Sequence, residues 1–591
     1  MKLTSFSALL FSILLSACGS TPPEKPEMFR PGDYSYLQTY LSWLIEKEIS
    51  KQDVIGLSIA VIDDQQVIWA QGFGYADKLN KISATPETLY RVGSVSKLFT
   101  AALVMQLAEQ GKLDIDKPLH TYLPDFSIQS RFPDAGAITP RNIMTHHSGL
   151  PGDINNGMWT QHPKPFKQLV GQLKDEYAAY PPNTIWSYSN LGIELLGAMI
   201  EQVTGKAFNT YAEQQLLQPL GMHAASFDQN LETVGVAKGY KEGHEQTEVP
   251  LRDTAAGGLN ANVLDMSRFI HMVFADGLAH GKQILTPETL KEMLRPQQEH
   301  IALDFGFKVG LGWWLQDDLS IGRIAGHGGA TLYHQGQLSL LQEHKLGVIV
   351  SPNSPSDLPT HIARKALQLA TAIKTGKSIS LDASKPEDDD RPLTAEELQR
   401  AAGQYATQYG YVKLVVDDGA LTAKLDGRTV EFLARKDGTF IMRYKLLGLI
   451  PIPIDELADI SLSFPTVDGH AAVVATWQGQ TFLVGEKITP VAIPPAWRKR
   501  LGGYEIINLA GGDGFVPQEC LVQERDGFLM LQYSLPELDL KNLSVPIAAL
   551  TDSEALILGL GAGKQETLRV TQVEGEERLA YSGYLLQKKH Q

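Results

Sequence analysis

Ser94 to Gln110 is a helical run that is apolar on most of its sides: Val95, Leu98, Phe99, Ala102, Leu103, Met105 and Leu107 leave no continuous polar face. Such a helix must be buried nearly all round, which requires a domain that packs other elements against it from several directions. Gly111 follows directly, in the position where helices commonly stop. The flanking pattern supplies the other elements. Tyr34 to Ser50 has helical spacing (Leu37, Leu41, Leu44, Ile45, Ile49), and Gly56 to Ile62 with Val67 to Gly74 read as a hairpin turning at Asp63-Asp64. A mostly helical middle with Pro/Gly-rich loops comes next. Strands return at Leu311 to Leu315, Ile321 to Ala325, Gln335 to Gln342 and Leu346 to Ser351, and Ala363 to Ile373 reads as a closing helix. Strands at both ends with helices between them predict an α+β domain over residues 34–380, its termini sharing one antiparallel sheet flanked by helices.

A chain of 591 residues is too long for that domain alone. Ser384 to Pro392, with Glu387-Asp388-Asp389-Asp390, is charged and proline-flanked and marks a linker over 381–394. Beyond it, short alternating runs dominate: Tyr411 to Val416, Ala420 to Leu425, Thr429 to Ala434 and Thr439 to Tyr444. They are punctuated by Asp418-Gly419, Asp426-Gly427, Asp437-Gly438 and Asp468-Gly469. Gly403-Gln404-Tyr405 and Gly502-Gly503-Tyr504 open two similar stretches, and Asp526-Gly527 repeats the turn in the second. Two consecutive small antiparallel barrels, lipocalin-like and of about eight strands each, fit 395–492 and 493–591. One larger sandwich is the competing arrangement.

At the amino terminus Lys2 precedes an apolar stretch, Phe6 to Leu15, too short to span a bilayer. It ends in Leu15-Ser16-Ala17-Cys18, similar to the lipobox of bacterial lipoproteins. That likeness implies a signal peptide over 1–17, lipidation of Cys18, a tether over 18–33, and an anchor in the cell envelope. Gly19-Ser20, without an aspartate, directs the expectation to the outer membrane, facing the periplasm. The second cysteine, Cys520, has no partner with which to build a disulfide framework or a Cys metal site, and no His-Glu-x-x-His suggests zinc. A net charge of −15 argues against nucleic acid as a partner.

Three short segments carry chemistry. Ser94-Val95-Ser96-Lys97 is the Ser-x-x-Lys of the chain. On a helix, residues three apart share a face, so Lys97 lies beside the Ser94 hydroxyl. A serine nucleophile needs a base, and burial lowers a lysine pKa far enough to provide one. A helix start also offers free N–H groups for an oxyanion. Read alone, Ser94 could equally be a helix cap. Tyr188-Ser189-Asn190 reads as a tight turn feeding the helix Leu191 to Val203. Its tyrosine suits proton transfer and its asparagine could bond the Lys97 ammonium, whereas the plainer alternative is an aromatic cluster with a capping Asn. Gly326-His327-Gly328-Gly329-Ala330 stands at a strand end, where Gly329 permits close approach and the Ala330 N–H could pair with that of Ser94. The plainer alternative there is a Gly-rich turn.

Together, and in this order, these segments resemble the serine β-lactamase-like family of class C β-lactamases, penicillin-binding proteins, D-aminopeptidases and esterases. Tyr90 to Ser94, Ile143 to Pro151 and Ala256-Gly257-Gly258-Leu259 support the likeness, which covers about Tyr34 to Ile373. It implies a β-lactamase/transpeptidase-like domain and acyl transfer without a metal or organic cofactor. Ser94 would be the nucleophile, Lys97 and Tyr188 would manage protons, and Asn190, His327, Gly329 and Ala330 would serve substrate and oxyanion. His146 and His147 are read as packing and loop-fixing residues. The third segment departs from the Lys-Thr-Gly of the antibiotic-related members. His327 is mostly neutral at pH 7 and holds no permanent charge for a substrate carboxylate, so a strict β-lactamase ranks below an esterase, peptidase or amidase. A non-catalytic scaffold or binding protein is the alternative from another class. For the barrels, likeness to multidomain relatives implies a lid or specificity role.

Overall fold

The computed structural model describes residues 21–377 and 390–590, apart from 426, 447–449, 453–459, 478 and 510. The expected signal peptide and Cys18 lie outside the described residues, as do 381–389 of the linker.

Eight strands form one antiparallel sheet in the order Lys308–Val309, Trp314–Asp318, Gly322–Ala330, Gln335–Leu341, Leu346–Pro352, Gly56–Asp63, Gln66–Asp77 and Ile82–Ser83. Its centre joins the two ends of the domain, with Ile59 opposite Val350. Side chains alternate across a strand, and both faces of Gly56–Asp63 are apolar. Leu57, Ile59 and Val61 pack with the helices Ser35–Lys51 and Leu358–Thr375, while Ala60 and Ile62 join the larger core under the central helices. In that core lies Ser96–Glu109, buried at every residue from Ser96 to Leu107. The all-round apolar pattern is thus realised by burial between the sheet and the helices Asn190–Thr204 and Val263–Phe274.

Two boundaries differ from the pattern in a way that matters for the site. The helical run opens with a tighter 3-10 turn, Gly93–Val95, before α geometry begins at Ser96. The strand read as Ile321 to Ala325 continues through Ala330, because Gly326 to Ala330 pair with Ser339 to Gln335. The segment read as a strand-end turn is therefore ladder, lying along the start of the Ser94 helix.

Past the sheet domain the chain forms two closed eight-stranded barrels. The first runs from Gly403–Thr407 to Gln480–Ile488, and those two strands pair with one another. The ring is completed where Arg428–Arg435 meets Phe440–Leu446. Asp390–Arg391, within the charged stretch, adds a short strand against Ala434 and Arg435. The second barrel closes where Gly502–Ile506 meets Tyr584–Lys588. The two repeat one device: Tyr405 donates its hydroxyl to the Ala401 carbonyl and Tyr504 donates to that of Arg500, each at 2.7 Å.

Candidate active site

Ser94 sits in the 3-10 turn and is partly exposed, whereas Lys97, one turn on, is buried. The turn is tied from both sides. Val92 N–H donates to the Leu259 carbonyl, and the Ser96 hydroxyl donates to Gly93 while accepting from Leu259 N–H. The Ala256–Leu259 segment thereby becomes one wall of the site, and its Ala256 carbonyl faces Lys97.

Lys97 Nζ lies 3.0 Å from Ser94 Oγ, 2.7 Å from Asn190 Oδ1 and 2.7 Å from the Ala256 carbonyl. Burial lowers its pKa from 10.5 to about 7, against the pull of Asp153, Glu194 and Asp253. The partners decide where the lone pair of the neutral amine points. Asn190 Oδ1 and the Ala256 oxygen can only accept, so they take two N–H bonds and leave the lone pair for the Ser94 O–H. The Asp153 carboxylate lies near the other side of the Asn190 amide, which acts to lower its pKa. Asp153 itself is raised to about 6 by burial and by the neighbouring Asp253.

Tyr188 closes the group. Its ring lies 5.0 Å from Lys97 Nζ, and its phenol interacts with the Ser94 side chain. Burial raises the phenol well above its ordinary value, so it stays protonated across the physiological range. Of the two proton-managing groups, the amine is therefore the one able to accept.

The Tyr188 turn is positioned from below. Ser189, rather than Asn190, caps the following helix, accepting from Gly192 N–H at 2.9 Å. Ser189 N–H donates to His146 Nδ1, and the His146 ring lies tilted against that of Tyr188, 4.3 Å between centroids. His147 Nε2 bonds Asp304, whose other oxygen accepts from Trp186 N–H at 2.7 Å. Both histidines thus fix the loop.

The strand Gly322–Ala330 supplies the opposite wall. His327 is buried, with its Nδ1–H donated to the Gly328 carbonyl, so Nε2 is the bare nitrogen. Burial and Lys97 push its pKa down to about 3, and its ring lies 4.4 Å from Trp314 and 6.3 Å from Tyr188. Two glycines let the strand touch the Ser94 turn. A Cβ on Gly93, which has φ +53°, would stand 2.5 Å from Ala330 N, and one on Gly329 would stand 2.7 Å from Ser94 N. The backbone of Ala330 is thereby set directly against the Ser94 turn.

All seven residues expected to serve nucleophile, protons, substrate and oxyanion thus come together at one place. Sequence reasoning missed the Ala256 carbonyl, Asp153 and the Asp304 brace. A backbone acceptor leaves no mark in a sequence, and Asp153 could have been suspected only from its place directly after Gly149-Leu150-Pro151-Gly152.

Comparison with known proteins agrees with this architecture. The chain is 24% identical to Protein flp of Staphylococcus aureus (strain NCTC 8325 / PS 47) over 358 residues, 59% of this chain and 68% of that one. It is 31% identical to PbpX of Bacillus subtilis (strain 168) over 254 residues, 43% of this chain and 61% of that one. Among solved structures it is similar to the octameric penicillin-binding protein homologue from Pyrococcus abyssi, with a TM-score of 0.50 and 25% identity. That likeness covers 75% of this chain and 99% of the homologue. The family match spans residues 41–373, more than half of the sequence, and the chain belongs to the Beta-lactamase family.

Proposed function

We propose that this protein is a serine hydrolase that works through an acyl-enzyme on Ser94, with an ester or a peptide or amide as substrate. D-residue and cell-wall-derived peptides fall within that substrate class. The observation that carries the reading is the Lys97 amine, held by two acceptors with its remaining valence directed at Ser94 Oγ. Lys97 takes the Ser94 proton as Oγ attacks the carbonyl carbon, and the Ser94 and Ala330 amides receive the negative oxygen. The proton passes to the leaving group by way of the Tyr188 phenol. Water then repeats the sequence on the ester carbonyl and frees Ser94. The neutral His327 supplies no fixed charge for a carboxylate, which favours esterase or peptidase chemistry over a strict β-lactamase.

The test is labelling of the purified mature protein by a fluorophosphonate and by a fluorescent penicillin, with Ser94→Ala as control. Fluorophosphonate labelling that disappears in Ser94→Ala supports the reading. Stable penicillin labelling would move it towards a penicillin-binding protein, and a folded chain that takes neither probe would be a scaffold. We further propose anchoring in the bacterial envelope through a lipid on Cys18, supported by the Leu15-Ser16-Ala17-Cys18 sequence after a short apolar stretch. Cys18→Ser is expected to release the protein from membranes, and a variant that stays bound would refute the anchor.

A further inference from the structure

The second barrel reaches the polypeptide on which the catalytic turn rests. Gly152 is held on both sides. Its carbonyl accepts from the N–H of Leu191, the second residue of the helix that begins at Asn190, and its own N–H donates to Glu566 Oε1 at 2.8 Å. The adjoining Pro151 carbonyl accepts the hydroxyl of Ser189, the cap of that helix, at 2.6 Å. Glu566 is itself fixed, since its other oxygen accepts from Tyr581 OH at 2.9 Å. One turn of the same barrel grips the residues that follow. Ser582 Oγ accepts from the backbone and the side-chain amide of Asn155, at 2.9 Å each, and donates to the Asp153 carbonyl at 3.0 Å.

Glu566 is buried, and the hydrogen bonds it makes are to a peptide N–H and a phenol, both neutral. Buried Lys564 offsets part of the charge from a distance, yet burying a carboxylate whose hydrogen-bond donors are neutral is costly, and a serine or threonine would satisfy one peptide N–H at lower cost. The carboxylate is justified if what it holds must not move. The chain of contacts leads there in few steps: Glu566 to Gly152, Gly152 to Leu191, and from that helix start to Asn190, whose oxygen Lys97 grips. Asp153, beside Gly152, lies near the same Asn190 amide, which acts to lower its pKa.

We propose that Glu566, contributed by the second barrel, is a positioning residue for acyl transfer, fixing through Gly152 the Tyr188–Asn190 turn and so the seat of Lys97. This rests on the serine-hydrolase reading above, and the experiment separates the two. The rate constant for fluorophosphonate labelling is measured on the full chain, with Ser94→Ala as blank, for Glu566→Ala, Glu566→Gln and Arg131→Ala. The last variant breaks a different contact between the same two units, Arg131 with Glu554 at 3.1 Å. Glu566→Ala is expected to slow labelling at least tenfold. Glu566→Gln keeps an oxygen for the Gly152 N–H and is expected to recover to within threefold of the native rate, and Arg131→Ala to stay within twofold.

A folded Glu566→Ala within twofold of native overturns the proposal. So does an equal loss in Arg131→Ala, which would make the effect one of docking in general, and so does a Gln variant as slow as the Ala variant. Should Glu566→Ala not fold, Tyr581→Phe removes the other bond that orients the carboxylate. A threefold or greater slowing there supports the proposal, and an unchanged rate refutes it. Native protein that takes no label, or Ser94→Ala that keeps it, defeats the hydrolase reading and this inference with it.

Discussion

Lys97 Nζ stands 3.0 Å from Ser94 Oγ, and among the described residues no carboxylate forms an ion pair with that amine. The three acidic groups that act on it, Asp153, Glu194 and Asp253, do so from a distance, and burial outweighs them. With a pKa of about 7, Lys97 sheds its proton within the working range. Hydrolysis of a neutral ester is then expected to show kcat/KM rising about tenfold per pH unit below 7 and levelling above it. Lys97→Arg cannot deprotonate and is expected to lose at least about a thousandfold. A flat profile between pH 5 and 8 would remove Lys97 as the base.

The same shift has a consequence for stability. Between pH 7 and 10.5 the unfolded chain binds a proton on Lys97 that the folded chain does not, so this group makes stability increase with pH over that window. In Lys97→Met that contribution is absent. Denaturant titrations at pH 7 and pH 9.5 are expected to show a smaller gain at the higher pH for the variant than for the native protein. Equal gains would mean that Lys97 is not perturbed.

Tyr188 remains protonated, and its place beside Ser94 suits it to give a proton rather than to take one. Tyr188→Phe should therefore hurt in proportion to the leaving group's need for a proton. An amide or alkyl ester is expected to lose about 10²–10⁴-fold in kcat, while a p-nitrophenyl ester, whose anion leaves unaided, should lose far less. Equal losses on both substrates would place the phenol in positioning instead.

Gly93 and Ala330 make a prediction about the oxyanion. A Cβ at Gly93 would meet the backbone of Ala330, which cannot rotate away, and the φ of +53° disfavours any side chain. Gly93→Ala should push the two walls apart and lower kcat by about 10²–10³-fold, the effect of losing an oxyanion donor, with a smaller change in KM. Native-like activity would show that the Ala330 amide is not used.

Much of this was legible because it is local. Ser94 and Lys97 are one helical turn apart, and Tyr188 and Asn190 flank a cap, so short-range geometry alone orients them. The burial of Ser96 to Leu107 followed from its apolar sides. What could not be read acts through the backbone or across the chain. The Ala256 carbonyl has no side-chain signature, Glu566 is 414 residues from Gly152, and the extension of the strand to Ala330 depends on pairing with Gln335, where alternation had already ended in glycines.

The duplicated tyrosines of the barrels offer a measurement independent of catalysis. Tyr405 and Tyr504 are both buried, and each sends its hydroxyl to a carbonyl four residues earlier at the same distance. Removing the hydroxyl leaves a carbonyl without that donor, at a cost of about 1–3 kcal/mol. The barrels have separate apolar cores, one containing Leu421, Phe432 and Phe440 and the other Trp497, Leu529 and Ile547. Sites so separated behave additively to within about 0.5 kcal/mol. Tyr405→Phe and Tyr504→Phe should therefore destabilise by similar amounts and sum in the double variant. Denaturant unfolding measures both, and a double variant far from the sum would mean that the two sites are coupled through the Ala406, Ile488, Phe528 and Met530 contact between the barrels, or that the barrels unfold in separate transitions.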